Sequence, residues 1–268
     1  MIKRNLGIFL ILLLTVFAIG CSSQQTTKVE ETKKQTLLET IHHRGTIKVG
    51  TEGTYPPFTF KNEKGELEGF DVDIINEVAK RLHVKAEFVP TEWKAMFVGL
   101  DSERFDVIAN QVSINEKRLE KYDFSAPYTV SGAQIIVNKD TTDINTVEDF
   151  KGRKIGVTQG SNWEEIAKKA GANIQHYKGA NEIFADVAAK RIEGSVNDRL
   201  YIAEYLLKNP NPNLKVGGKT FDTAKMGFAF RKGSPELVEA VDKALKEIQA
   251  DGTYLKISQK WFGEDVSK

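Results

Sequence analysis

The residues with the clearest chemical potential follow predicted strands, at the ends where open α/β sheets place their ligand sites. Arg118 carries a planar guanidinium that can hold a carboxylate through two parallel hydrogen bonds, and Asp198 can accept from an ammonium group. Ser161 and Asn162 lie at the predicted start of a helix, where hydroxyl and backbone N–H donors favour an anion. Opposite charges in these positions predict a site for a small zwitterion, because burying either charge unpaired would cost several kcal/mol.

These charges also have simpler interpretations. Arg118 could be a solvated cation on a surface turn, and Asp198 could be only the N-cap of the helix that follows it, or could fill both roles. Ser113 and the backbone near Asn110 and Gln111 follow another predicted strand, and they would add polar contacts to a ligand.

Alternating strands and helices after residue 44 must position these groups. The apolar spacing over Asp71–Leu82 predicts a helix with one buried face. A second unit starts with the predicted strand Lys154–Val157 and the helix Trp163–Ala170. Met226–Phe230 is predicted to be a strand, and the helix Pro235–Gln249 follows it with proline in the first turn. This alternation indicates mainly parallel sheets covered on both faces.

The composition limits the kinds of ligand and site. The chain has 268 residues, 40% of them apolar, with 38 Lys and Arg against 37 Asp and Glu. Its formal charge of +1 provides no net positive field for nucleic acid, so no nucleic-acid partner is expected. A single Cys excludes an internal disulfide and any site built from a Cys cluster, and the four His are scattered apart from one adjacent pair. No metal or other cofactor is therefore expected.

The segment 1–20 is typical of a secretion signal. Two cations near its start precede an apolar run from Leu6 to Ile19, which is shorter than the roughly 20 residues that span a bilayer. The run ends in Ala-Ile-Gly-Cys21, which resembles the lipobox of bacterial lipoproteins, in which the Cys receives lipid. An ordinary secreted protein with an incidental Cys is the alternative. The polar segment Ser22–Thr36 then predicts a flexible tether.

Four motifs of the folded part carry a resemblance to a known family. They are Gly-Thr-Tyr-Pro-Pro-Phe at 53–58, Gly-Phe-Asp-Val-Asp at 69–73, Ser-Ile-Asn-Glu-Lys-Arg at 113–118 and Tyr-Asp-Phe-Ser-Ala-Pro-Tyr at 122–128. From about Gly45 to Val266 the chain resembles the solute-binding proteins of polar amino-acid ABC transporters, also called bacterial extracellular solute-binding protein family 3. Within that family it looks most like the cystine-binding members. The resemblance implies an α/β architecture, the two-lobed type II periplasmic-binding-protein fold with two hinge crossings.

The resemblance also implies a division of the chain. Residues 1–20 would be a lipoprotein signal peptide, and 21–43 would be the lipidated Cys and a flexible tether. The first lobe would comprise 44–132 plus 227–268, and the second lobe 133–226. The crossings between the lobes would lie near 131–134 and 222–226.

The family's ligand-binding positions can be carried over residue by residue. Arg118, Ser161 and Asp198 match positions that bind the ligand, and Tyr55 and Trp93 resemble the aromatic pair that sandwiches its side chain. Flat aromatic faces suit an aliphatic chain, a cation or a sulfur atom. The candidate ligand-binding residues are therefore Glu52, Tyr55, Trp93, Asn110, Gln111, Ser113, Arg118, Ser161, Asn162 and Asp198.

Three of these side chains have an alternative interpretation. Glu52 matches a position that faces the far end of the ligand and could meet a second ammonium, but it could also be a solvated charge. Tyr55 and Trp93 could be core aromatics.

The resemblance implies a binding function and no enzymatic activity. The protein would bind a free polar amino acid, with cystine or a related sulfur amino acid favoured and lysine, arginine, histidine and glutamine open. A ligand held by both lobes would shift a hinge equilibrium towards the closed form, which ABC transporter permease subunits would recognise. The protein would be a monomer, anchored by lipid to the cell membrane and facing outside the cytoplasm. The alternatives are a cyclohexadienyl-dehydratase-like enzyme with Glu52 as its acid or base, or an amino-acid-sensing lipoprotein.

Overall fold

The computed structural model describes residues 35–268. The predicted signal peptide, Cys21 and all but the end of the predicted tether lie outside the described residues. Within 35–268, no helix has both the length and the apolar character needed to cross a membrane.

The secondary structure consists of short helices and strands in alternation. The helices are α1 (Leu37–Arg44), α2 (Phe70–Arg81), α3 (Trp93–Asp101), α4 (Glu116–Leu119), α5 (Asn162–Lys169), α6 (Ala180–Ala188), α7 (Arg199–Lys208), α8 (Pro235–Ala250) and α9 (Thr253–Phe262), with a 3-10 turn at Val147–Phe150. The strands are β1 (Thr46–Thr51), β2 (Thr54–Tyr55), β3 (Thr59–Lys61), β4 (Leu67–Glu68), β5 (Lys85–Pro90), β6 (Val107–Ile108), β7 (Tyr122–Phe124), β8 (Thr129–Asn138), β9 (Lys154–Thr158), β10 (Asn173–Tyr177), β11 (Gly194–Asp198), β12 (Leu214–Met226) and β13 (Ala229–Arg231).

Two five-stranded sheets form the framework. In the first, with the order β5-β1-β6-β13-β7, β1 is parallel to β5 and β6, while β13 is antiparallel to β6 and β7. In the second, with the order β10-β9-β11-β8-β12, β9 is parallel to β10 and β11, and β8 is antiparallel to β11 and β12. A small sheet, β2-β3-β4, follows β1. Two sheets with their own helices confirm the predicted two-lobed α/β fold.

The chain passes twice between the sheets. β7 of the first sheet leads into β8 of the second, and β12 leads back into β13. β8 and β12 are long antiparallel partners that pair from Thr129↔Met226 to Asn138↔Leu214. The crossings predicted at 131–134 and 222–226 fall inside these two strands.

The predicted strand Met226–Phe230 is divided between the two sheets. Met226 ends β12, and Ala229 begins β13. Between them, the N–H of Gly227 donates to the carbonyl of Val112 at 3.0 Å, so the ladder changes partners at this point. The apolar run Met226–Phe230, predicted to be one strand, therefore contributes residues to both sheets.

The first helix begins inside the predicted tether. Thr36 Oγ1 accepts from the N–H of Glu39 at 3.2 Å, and Glu39 Oε2 accepts from the N–H of Thr36 at 2.8 Å. This reciprocal capping box starts α1, and Ile41 on its inner face is fully buried. The folded part therefore begins before residue 44, where the first lobe was predicted to start.

The core of the first lobe fixes the strand ends that carry the site. The helix predicted over Asp71–Leu82 is α2, and its apolar residues Val72, Ile75, Val78, Ala79 and Leu82 are buried as predicted. α2 packs against α8 and α9. Each buried aliphatic side chain of this kind stabilises the fold by roughly 1.5–3 kcal/mol.

Candidate ligand-binding cleft

A cleft between the two lobes contains most of the predicted site. Its cavity volume is about 40 Å³. The first lobe lines it with Glu52, Thr54, Tyr55, Trp93, Asn110, Gln111 and Ser113, and the second lobe with Thr158, Ser161, Asn162, Trp163, Gly179, Ala180, Asn197 and Asp198; Met226 lies at the crossing. The structure therefore brings together every predicted site residue except Arg118.

Asp198 ends β11 and caps α7. Its Oδ1 accepts from the hydroxyl of Ser131 and from the N–H of Leu200, each at 2.8 Å. Its Oδ2 is buried, and no group within residues 35–268 donates to it. Burial raises the pKa of Asp198 to about 6, against the hydrogen bonds from Ser131 and Leu200, which lower it. Asp198 is thus an N-cap, and it also keeps an acceptor oxygen for which an ammonium group is suitable.

Glu52 follows β1 and is held by Asn110, which follows β6. The Asn110 side-chain amide donates to Glu52 Oε2, and the Glu52 N–H donates to Asn110 Oδ1, both at 2.7 Å. Burial raises the pKa of Glu52 to about 7, against the hydrogen bonds from Asn110 and from the backbone of Trp93. Glu52 is therefore a part-buried carboxyl group of the cleft, not a solvated charge, and the Asn110 amide serves to position it.

Gln111 lines the cleft with a backbone in the left-handed region, at φ 50°. Asp71 of α2, fully buried, accepts the Gln111 N–H at 2.6 Å and so holds this conformation. Burial raises the pKa of Asp71 to about 7, against this hydrogen bond. Within residues 35–268, neither polar atom of the Gln111 amide has a partner. The amide can therefore both donate to and accept from a ligand.

Ser161 and Asn162 form the start of α5 on the second lobe. The Ser161 hydroxyl donates to the carbonyl of Thr158 at 2.7 Å and accepts from the N–H of Glu164 at 3.2 Å. The hydroxyl that was predicted to donate to a ligand thus donates to Thr158, because Ser161 is the N-cap of this helix. What the helix start offers to an anion is its backbone N–H groups and its dipole.

Arg118 lies behind Ser113 at the margin of the cleft. Its Nη1 donates to the Ser113 carbonyl at 2.8 Å and to the Ser113 hydroxyl at 2.6 Å. Its guanidinium carbon is 5.4 Å from the centre of the Trp93 ring and 5.3 Å from that of Phe97. Burial lowers the pKa of Arg118 to about 10, which leaves it charged at neutral pH. None of the ion pairs formed within 35–268 includes Arg118, so it is a desolvated cation that an external anion can pair.

A second cavity connects Arg118 to the opposite lobe. Its lining includes Arg118, Gly160, Ser161 and Asn162. Ser161 and Asn162 also line the main cleft, so the start of α5 borders both spaces. Arg118 and the start of α5 therefore face a common region from opposite lobes.

Tyr55 and Trp93 both line the cleft but contact different aromatic residues. The Tyr55 ring stacks on Tyr201 of α7, with centroids 4.4 Å apart and planes at 15°. The Trp93 ring meets Phe97 edge-on at 5.9 Å. The sandwich of a ligand side chain between Tyr55 and Trp93 stays a prediction.

Asn197 of the cleft lining and Tyr201, on which Tyr55 stacks, were not among the predicted ligand-binding residues. Asn197 is 2% exposed, and its Oδ1 accepts from the Tyr55 hydroxyl at 2.6 Å. Side chains alternate between the faces of a strand, which favours only one of Asn197 and Asp198 as a site residue. Both reach the cleft because they lie at the end of β11. The available signal was the position of Asn197 directly before Asp198.

Other contacts between the lobes are charged. Lys117 pairs with Glu165, the Lys178 ammonium lies 3.5 Å from a Glu92 oxygen, and the Arg199 guanidinium lies 3.5 Å from a Glu264 oxygen. Such exposed pairs contribute about 0–1 kcal/mol each. Together with the Tyr55 contacts they show that the lobes are in contact across the cleft.

Comparison with known proteins is consistent with these observations. The family model of bacterial extracellular solute-binding proteins, family 3, matches residues 47–264. The L-cystine-binding protein TcyA of Bacillus subtilis (strain 168) is 40% identical over 267 residues, which cover 99% of each chain. An ancestral arginine-binding protein bound to glutamine is 43% identical with a TM-score of 0.78, over 82% of this chain and 99% of the other. The L-cystine solute receptor of Neisseria gonorrhoeae, in the unliganded open conformation, is 38% identical with a TM-score of 0.59, over 87% and 99%.

The two solved structures are similarly identical to this chain in sequence, but their structural similarity to it differs. The lower TM-score belongs to the open conformation and the higher one to a ligand-bound protein. The lobes of this protein are therefore arranged more as in the bound relative, in agreement with the contacts across the cleft. The relatives are solute-binding proteins rather than enzymes, which confirms the prediction of a non-enzymatic protein. Because the family model spans most of the chain, the chain belongs to the bacterial extracellular solute-binding proteins, family 3.

Proposed function

We propose that this protein captures a polar amino acid between its lobes, L-cystine in the first place, and delivers it to an ABC transporter. One observation carries the proposal: the two lobes present opposite charges that the described part of the chain does not neutralise. Within 35–268, Asp198 has a buried oxygen without a donor on one lobe, and Arg118 forms no ion pair on the other, since Glu165, whose charge acts on it, pairs with Lys117. The ammonium and carboxylate of an amino acid supply both missing partners.

L-cystine is favoured over other amino acids for two reasons. Glu52 adds a second carboxyl group to the cleft, and L-cystine, like lysine and arginine, brings a second cation to meet it. The similarity to TcyA, an L-cystine-binding protein, favours L-cystine among these ligands. The aromatic faces of Tyr55 and Trp93 suit the sulfur atoms of the ligand.

Each cleft residue has a proposed role. Arg118 and the N–H groups at the start of α5 bind the α-carboxylate, and Asp198 binds the α-ammonium. Gln111 contacts the ligand through its unpaired amide. Because these groups come from both lobes, the ligand stabilises the closed form over the open one, and the permease recognises the closed form.

The proposed cellular arrangement follows the sequence. Lipid on Cys21 anchors a monomer to the outer side of the cell membrane, and the chain that precedes α1 is the tether. The lobes are 44–132 plus 227–268 and 133–226, with α1 joined to the first lobe. Labelling of cells with radioactive palmitate tests the anchor: we expect labelled protein from the natural sequence and none from Cys21→Ser. Equal labelling of both would contradict it.

Titration calorimetry on the purified protein tests the ligand. We expect L-cystine to bind more tightly than L-lysine, L-arginine, L-histidine and L-glutamine, and to raise the melting temperature most, because a ligand that binds only the folded state stabilises it by mass action. Tighter binding of another of these amino acids would overturn the choice of L-cystine. If none of these amino acids produced heat of binding or a shift of the melting temperature, amino-acid capture would be overturned.

Uptake of labelled L-cystine tests delivery. A strain that lacks this protein but keeps its permease should lose high-affinity uptake, and the natural sequence should restore it. Unchanged uptake in the deleted strain would contradict the transport role.

A further inference from the structure

The side chain of Asn197 touches both lobes through one atom. Its Oδ1 accepts from the N–H of Asp198 at 2.8 Å, a bond within the second lobe. The same oxygen accepts from the Tyr55 hydroxyl of the first lobe at 2.6 Å. Asn197 is 2% exposed, so both bonds form away from water and neither is easily replaced.

The first-lobe side of this contact is held firmly. The Tyr55 ring stacks on Phe58 of its own lobe at 5.4 Å and, across the cleft, on Tyr201 of α7 at 4.4 Å. Phe58 is fully buried and belongs to the first lobe. Tyr55 therefore presents its hydroxyl from a fixed position, and the bond to Asn197 forms only while the lobes are together.

Asp198 is held from two directions. Ser131, on the crossing strand β8, donates to its Oδ1 at 2.8 Å, and Asn197 holds its backbone N–H. The Oδ2 that faces no donor within 35–268 is thereby placed by both contacts. A shift of the Asn197 side chain would release one of them.

We propose that Asn197 is a positioning residue that couples closure of the lobes to the placement of the Asp198 carboxylate, with Tyr55 as its first-lobe partner. This inference rests on the proposed function, in which Asp198 meets the ligand ammonium. When the lobes open, Asn197 loses the Tyr55 bond and holds Asp198 less firmly. When they close, the same bond locks the acceptor onto the ligand, so the ligand leaves only after this bond breaks.

A double-mutant cycle on ligand release tests the coupling. The probe is L-cystine, followed by stopped-flow tryptophan fluorescence, with Tyr55→Phe, Asn197→Ala and the double variant. Tyr55→Phe loses one hydrogen bond, which corresponds to about a 3- to 10-fold faster dissociation, and Asn197→Ala, which also loses the bond from the Asp198 N–H, should dissociate at least as fast. Because both variants break the same bond, the double variant should dissociate no faster than Asn197→Ala. Single effects that multiply in the double variant would overturn the proposal.

Tyr177→Phe is the matched control. The Tyr177 hydroxyl donates to Asp186 at 2.6 Å, the same bond length as Tyr55 to Asn197, but both of its residues belong to the second lobe. We expect this variant to release L-cystine at the wild-type rate. An equal acceleration in Tyr177→Phe would show that loss of any tyrosine hydroxyl loosens the protein, and would remove the special role of Asn197.

A measurement without ligand separates this inference from the proposed function. Spin labels at Lys94→Cys and Lys169→Cys, in a chain carrying Cys21→Ser, report the distance between the exposed faces of α3 and α5. In the ligand-free protein, Tyr55→Phe should shift the population towards longer distances. An unchanged distribution would overturn the coupling, whereas failure of L-cystine to bind the wild type would overturn only the proposed function.

Discussion

The two walls of the cleft hold their charged side chains differently. On the first-lobe wall, Arg118 donates to Ser113, and Glu52 exchanges two hydrogen bonds with Asn110. On the second-lobe wall, Asp198 keeps one buried oxygen that nothing in the described part of the chain satisfies. The charged groups of the first wall are held by its own contacts, so a ligand finds them preformed, and within 35–268 the Gln111 amide of that wall is left to the ligand. The charged group of the second wall needs the ligand to complete its contacts.

Because of this difference, substitutions in the two walls should have different effects on the stability of the ligand-free protein. Removing a first-wall side chain breaks contacts within the protein as well as contacts to a ligand. Removing the Asp198 charge takes away a group whose burial is itself costly. Variants of the two walls should therefore affect the affinity similarly but the ligand-free stability in different directions.

The largest effect is expected for Arg118→Ala. Loss of the cation leaves the ligand carboxylate unpaired, so the affinity for L-cystine should fall by about 3–5 kcal/mol in calorimetry. The ligand-free protein also loses the bonds to Ser113, and its free energy of unfolding should fall by about 1 kcal/mol. Arg104→Ala, an exposed arginine of the same lobe, is the control and should change neither. Unfolding of the ligand-free Arg118 variant would show that Arg118 is structural.

Asp198→Asn should lower the affinity slightly less, by about 2–4 kcal/mol, because the amide oxygen keeps its place but loses its charge. The substituted side chain can still accept from Ser131 and Leu200, so the N-cap is preserved. The ligand-free protein should be as stable as the wild type or more stable in urea unfolding. Glu148→Gln, at an exposed position of the same lobe with no ion pair within 35–268, is the matched control. A variant that binds normally would contradict the role of Asp198 and with it the contrast between the walls.

The sequence predicted the parts of this fold that rest on local patterns. The apolar spacing of α2 identifies its buried face, because a helix repeats that spacing on one side. The strand β12 was not predicted, because most of its residues are exposed and its pairing with β8 shifts register twice. Its partner β8 is buried along most of its length, so it lacks the alternation that marks a half-buried strand.

The sequence likewise predicted some residues of the site and not others. Charge and position at strand ends indicated Arg118 and Asp198, since such groups need partners wherever they are buried. Asn197 and Tyr201 were missed because their contact with Tyr55 depends on how the lobes approach each other. No local pattern contains that information.

Glu52→Gln separates the charge of the first wall from its hydrogen bonds. The amide can keep the bond from Asn110, so the wall stays organised, but the group that meets a second ammonium loses its charge. Affinity for L-cystine should fall by about 1–2 kcal/mol, and affinity for L-glutamine by less than about 0.5 kcal/mol. Competitive titration of the two ligands gives both values. Equal losses of affinity for the two ligands would show that Glu52 does not distinguish between them.

A separate effect is expected on how the stability of the ligand-free protein depends on pH. Folding raises the pKa of Glu52 from 4.5 to about 7, so the folded state favours the protonated carboxyl group. The resulting stabilisation is fully present below pH 4.5 and is lost as the pH rises through about 7. Between these limits the wild type should lose about 3 kcal/mol more unfolding free energy than Glu52→Gln, as measured by urea unfolding at each pH.

Subtracting the pH dependence of Glu52→Gln from that of the wild type separates the contribution of Glu52 from those of the other buried carboxyl groups. Burial also raises the pKa of Asp71 to about 7 and that of Asp198 to about 6, so both contribute a pH dependence of the same sign. These contributions are present in the wild type and in Glu52→Gln, and they cancel when the curves are subtracted. Parallel curves would mean that Glu52 titrates as it does in the unfolded chain. The first wall would then be open to water at that point, and its carboxyl group would not be preformed for a ligand.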